Sequence, residues 1–219
     1  MSISTIFFDL DDTLYPPSSG VWEAIGERIN LYMCQRVGIS PDEVTALREH
    51  LYHTYGTTLR GLTLTRGIDP RDYLAFVHDI PLQDYLTPDP SLPSLLKSIT
   101  LRKVIFTNAD RAHAHRVLSI LGVEDCFDQI IDVLDVAPYC KPMTEAFLRA
   151  MELAGVNSPA EAIFIDDATH NLRAARTLGF YTIRMGNASA DGCCHAVIQS
   201  LHDLPALLVS LQSPKSEEP

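Results

Sequence analysis

Six side chains spread along this sequence have the types and the order that phosphate chemistry needs. Asp9 and Asp11 follow the apolar run Ile6-Phe7-Phe8. A run rich in Ile and Phe reads as a strand buried on both faces. Carboxylates at its C-terminal end lie where open α/β sheets place their ligands. One residue apart, the two acids share a side of an extended chain and can address one substrate from two angles. Thr107-Asn108 ends a second apolar run, Lys141 sits in Tyr139-Cys140-Lys141-Pro142, and Asp166-Asp167 ends a further run. Four acids around a hard cation, with one hydroxyl and one ammonium, form a phosphate-handling set. Taken singly, each has a plainer reading as a turn, a surface lysine, a strand-end cap or a helix N-cap. Their common place at strand ends argues for the set.

The elements that would position them alternate regularly. Strands are expected over 6–8, 103–107, 129–134, 162–166 and 181–185, with helices over 111–121, 144–154 and 171–178 that close at Gly122, Gly155 and Gly179. Repeated β-α units predict a parallel sheet of five strands with helices on both faces, a Rossmann-like α/β core. In such a sheet the C-terminal strand ends gather on one edge. Between the first two strands the pattern turns helical. Val21, Ile25, Ile29 and Met33 recur at helical spacing; Ser40-Pro41 and Asp69-Pro70 each supply an N-cap followed by Pro. This predicts an all-helical insert, residues 17–87, on a core of residues 1–16 and 88–219. The stretch 84–93, with Pro88, Pro90 and Pro93, reads as the return connection, and the polar tail from 212 to 219 as frayed.

Composition excludes several classes. The chain has 219 residues, 46% of them hydrophobic, and a net charge of −11, which argues against nucleic acid or an anionic membrane as partner. No apolar run approaches the ~18 residues of a transmembrane helix. The opening Met1-Ser2-Ile3-Ser4-Thr5 lacks the regions of a secretory leader. Five cysteines, an odd count without a C-x-x-C pair, suit a reducing cytoplasm. Cys193-Cys194-His195 lacks the second pair that builds a zinc site. His113 and His115 are expected at the surface, and Tyr52, Tyr55 and Tyr73 in the core of the insert. A monomer is the default expectation.

The order D-L-D-D-T, then h-h-T-N, K-P and h-h-D-D resembles the four motifs of the haloacid dehalogenase-like phosphohydrolases, and the insert resembles that family's small helical cap. Within the family, Tyr55-Gly56, Leu59-Arg60-Gly61-Leu62, Leu82-Gln83-Asp84, Thr107-Asn108-Ala109, His113-Ala114, Arg116-Val117, Gly122, Phe127-Asp128 and Cys140-Lys141-Pro142 resemble the pyrimidine 5′-nucleotidase branch. The resemblance implies a Mg²⁺-dependent phosphoric monoester hydrolase acting on nucleoside monophosphates such as UMP and CMP. It makes Asp9 the nucleophile, forming an aspartyl-phosphate. Asp11 becomes the acid and then the base. Asp9, the Asp11 carbonyl and the Asp166-Asp167 pair would hold Mg²⁺, with either late acid as the direct ligand. Lys141 balances the charge, Thr107, Asn108 and Ala109 meet the phosphate, and Asn171 orients a metal ligand. Arg60 is assigned either to the nucleotide or to the surface. The cap would move on hinges near Pro16-Pro17 and 88–93.

Other readings fit less well. The dehalogenase branch lacks an acid at the position of Asp11. A phosphomutase, or a phosphatase for sugar phosphates, keeps the same chemistry. A non-catalytic binding module would have lost Asp9, Asp11 or Lys141, and a receiver domain has its acids and lysine in another order.

Overall fold

The computed structural model describes residues 3–187 and 192–212. Its strands are β1 (Thr5–Phe8), β2 (Arg102–Phe106), β3 (Gln129–Ile131), β4 (Ala162–Asp166), β5 (Tyr181–Met185) and β6 (Ala196–Ile198). They form one parallel sheet in the order β3-β2-β1-β4-β5-β6. The apolar run at the start of the chain is therefore the middle of the sheet, with Phe8 in register with Ile105 of β2 and Ile165 of β4. The order reverses direction at β1, and crevices at such switch points receive ligands.

Alternation along the strands divides the core in two. Ile6 and Phe8 share one face with Ile105, Ile163 and Ile165, while Phe7 shares the other with Val104, Phe106 and Phe164. Helices α1 (Val21–Gln35), α2 (Val44–Tyr55), α3 (Thr58–Arg66), α4 (Pro70–Val77), α5 (Leu92–Ser98), α6 (Arg111–Leu121), α7 (Thr144–Ala154), α8 (Thr169–Leu178) and α9 (Leu204–Gln212) complete the described fold. α5, α6 and α9 cover the first face through Leu96, Val117 and Leu204; α7 and α8 cover the second through Phe147 and Leu172. Phe147 meets Phe106 and Phe164 edge-on, at 5.4 and 5.2 Å between centroids. Each such pair adds about 0.5–1.5 kcal/mol beyond its buried area.

Helices α1 to α4 stand together between β1 and β2. Tyr32 of α1 packs against Tyr73 and Phe76 of α4, at 5.0 and 5.3 Å, and gives its hydroxyl to Asp72. Arg48 of α2 donates to the Gly26 carbonyl on α1.

Among the described residues the sheet has six strands where five are expected. β6 spans only three residues, too few for an alternation pattern to declare itself. α3 and α5 are also additions. Gly61 interrupts the apolar pattern of α3, whose start is fixed by the Thr57 hydroxyl accepting from the Arg60 amide. Pro93 reads as connection but occupies the first turn of α5, where a missing N–H costs nothing. β3 ends at Ile131 because the Asp132 carboxylate turns the chain, accepting from Leu134, Asp135 and Arg111 amides. α2 begins at Val44, after a turn over the Ser40-Pro41 signal, and α8 begins at Thr169. Residues 213–219 of the expected frayed tail lie outside the described residues.

Candidate active site

The strand ladder runs one residue past β1, with the Asp9 amide donating to the Ile165 carbonyl at 2.9 Å. The chain then turns: the amides of Thr13 and Leu14 both return to the Leu10 carbonyl, and Asp12 takes a positive φ of 59°. Aspartate tolerates that conformation better than most residues. Asp11 thus reaches the cleft from a turn, not from the extended chain expected for it. Asp9, Asp11, Thr107, Asn108, Lys141 and Asp167 all line one cavity of about 580 Å³ between the strand ends and the insert.

Lys141 is buried and binds two acids, with Nζ 2.6 Å from Asp9 Oδ1 and 2.9 Å from Asp166 Oδ2. Its ammonium also lies 5.3 Å from the ring centres of both Phe106 and Phe164. Burial opposes its charge, but the carboxylates of Asp166 and Asp9 outweigh burial and raise its pKa. Asn108 fixes the backbone of this lysine: its Nδ2 donates to the Lys141 carbonyl at 3.0 Å and its Oδ1 accepts from the Lys141 amide at 2.9 Å. Asp166, wholly buried, also accepts from the Ala168 amide at 2.8 Å and from Asn171 Nδ2. Asp167 faces the cavity, and among the described residues no other side chain gives it a hydrogen bond. Burial, reinforced by neighbouring acids, pushes Asp9 up to about 7 and Asp167 up to about 6, with Lys141 pulling the other way. Among the described residues Asp9, Asp166 and Asp167 offer carboxylate oxygens within 4.8 Å of one another. A set of hard oxygen donors carrying excess negative charge fits Mg²⁺.

Asp11 has a different environment. Its Oδ1 accepts from the Tyr15 hydroxyl at 2.5 Å and from His113 Nε2 at 2.8 Å. Burial raises its pKa, but His113 and Tyr15 outweigh burial and bring it down to about 2. The His113 ring stacks on His78 at 4.3 Å. Thr107, almost fully buried, accepts from the Ala109 amide at 2.9 Å.

A sequence profile of the haloacid dehalogenase-like hydrolases matches residues 3–179. The chain belongs to that family. It is 36% identical over 187 residues to phosphate metabolism protein 8 of Saccharomyces cerevisiae, covering 79% of this chain and 58% of the yeast protein. It is 26% identical to a phosphoglycolate phosphatase of Chromobacterium violaceum, over 86% of this chain and 87% of that one. Among solved structures, YfnB of Bacillus subtilis, bound to magnesium, superposes with a TM-score of 0.62 at 17% identity, over 95% of this chain and 99% of that one.

The fold brings Asp9, Asp11, Thr107, Lys141, Asp166 and Asp167 to one place, but treats other named residues differently. Arg60 donates to the carbonyls of Pro138 and Tyr55, tying the insert to the loop ahead of Lys141, and does not line the cavity. The Ala109 amide is taken by the Thr107 hydroxyl in this arrangement, and the Asn108 side chain is spent on the Lys141 backbone, while the phosphate role expected of Asn108 rested on its backbone amide. His113 is buried, against the expectation of a surface residue, because its position on α6 faces the turn after β1. His115 is half-exposed beside Glu124, as expected. Tyr73 packs within the insert but also lines the cavity. Tyr52 leaves the insert core to reach His170, at 3.1 Å from hydroxyl to Nε2. Tyr15 and His78 were not singled out in the sequence, and His113 was placed at the surface. The one available signal was the helical spacing of Tyr15 to Asp11, four residues apart.

Proposed function

We propose that this hydrolase is a Mg²⁺-dependent phosphomonoesterase that forms an aspartyl-phosphate on Asp9, with a pyrimidine nucleoside monophosphate as its substrate. The observation that carries the reading is the Asp9–Lys141–Asp166 bridge at the floor of the cavity, with the free carboxylate of Asp167 beside it. In this reading Asp167 is the direct metal ligand, together with Asp9 and the Asp11 carbonyl, while Asp166 is committed to Lys141 and Asn171. The bound ion would supply charge neutralisation between the carboxylates and the phosphoryl oxygens.

Each residue then has one task. Lys141 holds Asp9 in place, and Asp9 attacks phosphorus in line with the departing alkoxide. Thr107 presents its hydroxyl to the phosphoryl group. Asp11 is a carboxylate before substrate arrives; as the anionic ester closes on it, it takes up a proton from water or from the monoanionic ester, and it then gives that proton to the departing alkoxide. Deprotonated again, it activates the water that hydrolyses the acyl-phosphate. Residues 17–87 act as a cap over a core of residues 1–16 and 88–219, and its closure excludes water. We further place the protein in the cytoplasm, as a monomer.

The nucleoside assignment draws on the sequence resemblance and on the insert side of the cavity. There Trp22, Tyr52 and Tyr73 offer aromatic surface to a base, and Arg48 and Glu49 offer polar groups. A smaller phosphomonoester is the second reading, favoured by the similarity to a phosphoglycolate phosphatase. Phosphate release from UMP, CMP, dUMP, TMP, AMP, GMP, phosphoglycolate and sugar phosphates decides between them, with EDTA and Asp9→Asn as controls. The nucleotidase reading expects metal-dependent release concentrated in the pyrimidine monophosphates. Preference for phosphoglycolate or sugar phosphates would overturn it and leave the chemistry standing.

A further inference from the structure

We propose that Tyr15 and His113 are positioning residues for Asp11, fixing its carboxyl so that Oδ2 alone is presented to the leaving group. The inference rests on the reading of Asp11 as proton donor. Both hydrogen bonds end on the same oxygen: the Tyr15 hydroxyl reaches Oδ1 at 2.5 Å and His113 Nε2 reaches it at 2.8 Å. Oδ2 carries neither bond and belongs to a side chain that is 14% exposed and lines the cavity. Two donors from different directions on one oxygen remove the rotation by which a free carboxyl would exchange its oxygens. A proton transfer geometry fixed in advance is worth more than one assembled during the reaction.

The donors are themselves held. Tyr15 is buried four residues after Asp11, within the same turn. His113 is set in the first turn of α6, its amide donating to the Asp110 carboxylate at 2.8 Å. Its ring is covered by His78, which stacks on it at 4.3 Å and a 23° interplanar angle. His78 in turn is fastened by its carbonyl to Arg116 of the same helix, at 2.8 Å. The return from the insert thereby closes over the residue that aims Asp11. In the step served, the Asp9–phosphorus bond forms as the phosphorus–oxygen bond to the leaving group breaks. The electron pair of the broken bond stays on that oxygen, which takes the proton from Oδ2.

The departure of a leaving group that needs no proton should be indifferent to this arrangement, and kcat/KM reports only the steps up to that departure, whereas water activation by Asp11 enters kcat. The test compares kcat/KM for p-nitrophenyl phosphate and for an alkyl ester, UMP or the fastest alkyl ester of the panel above, with wild type, Asp11→Asn, Tyr15→Phe, His113→Leu and His113→Gln. The expected result is a loss of about 10²-fold on the alkyl ester for Tyr15→Phe and His113→Leu, carried by kcat rather than KM. Loss on p-nitrophenyl phosphate should be small, and His113→Gln, which keeps an N–H at similar reach, should recover much of the alkyl activity. Tyr15→Phe removes only a hydroxyl, so it carries the test alone should His113→Leu not fold. Equal losses on both esters, or no loss on either, would overturn the proposal while a selective Asp11→Asn effect kept Asp11 as the acid. An Asp11→Asn that affects both esters equally would overturn the underlying reading and the proposal together.

Discussion

Without Lys141, Asp9 and Asp166 would face each other in the interior with no cation between them. The lysine is buried, bonded to both acids, and bordered by the rings of Phe106 and Phe164, so a methionine fits its space but not its charge. Lys141→Met is expected to lower stability by about 3–5 kcal/mol at neutral pH, because the carboxylates left behind have no compensating partner. Urea unfolding measures this; an unchanged midpoint would show that the bridge contributes nothing to the fold. At this scale the sequence was legible through the order of the residues and not through any one of them. Asp9, Lys141 and the Asp166-Asp167 pair each have a plainer reading alone, and their succession along alternating β-α units is what placed them in one cleft. Arg60 and His113 were not legible, because their roles depend on which way a helix face points, and an arginine or histidine serves equally well on either side.

The insert depends on a close approach of α2 and α3. Gly61 has no room for a methyl group: a Cβ there would stand 2.7 Å from Leu51 Cδ2 and 2.9 Å from Leu51 Cβ. Gly61→Ala should cost about 1–3 kcal/mol through this crowding, despite the better helix propensity of alanine. A thermal melt at or above the wild-type value would contradict the packing described here. This contact explains why α3 was not legible. Glycine in a helical pattern reads as interruption when its reason is a neighbouring helix that the local sequence does not show. By contrast β4, β5, α6 and α7 could be read to the residue, since apolar periodicity and a closing Gly or following turn agree at each. β6 failed for the opposite reason: three residues give no period, and pairing with β5 alone makes them a strand.

Across the whole molecule, acids from β1 and β4 meet because the topology puts those strands side by side. That was foreseeable from alternating β-α units, whereas the sharing of labour within the acidic pair was not. Asp166 is taken by Lys141, Asn171 and Ala168, and in the proposed reading it is Asp167 that holds the metal. Mg²⁺ should therefore raise the melting temperature of the wild-type protein in a concentration-dependent way, as any ligand of the folded state does. Asp167→Asn should abolish most of that rise while leaving the melt in EDTA near the wild-type value. A full Mg²⁺ response from this variant would move the metal elsewhere.

Catalysis as proposed passes through a covalent phosphoryl group on Asp9. It is tested most directly by mixing Asp11→Asn with p-nitrophenyl phosphate and Mg²⁺ in a stopped-flow instrument, then locating phosphate on the quenched protein by mass spectrometry. The nitrophenolate leaves without a proton, so Asp9 can be phosphorylated, but the base that activates water is gone. The expected result is a burst of nitrophenolate stoichiometric with the protein, slow release thereafter, and phosphate on the peptide carrying Asp9. Steady release with no burst and no phosphate at Asp9 would contradict it.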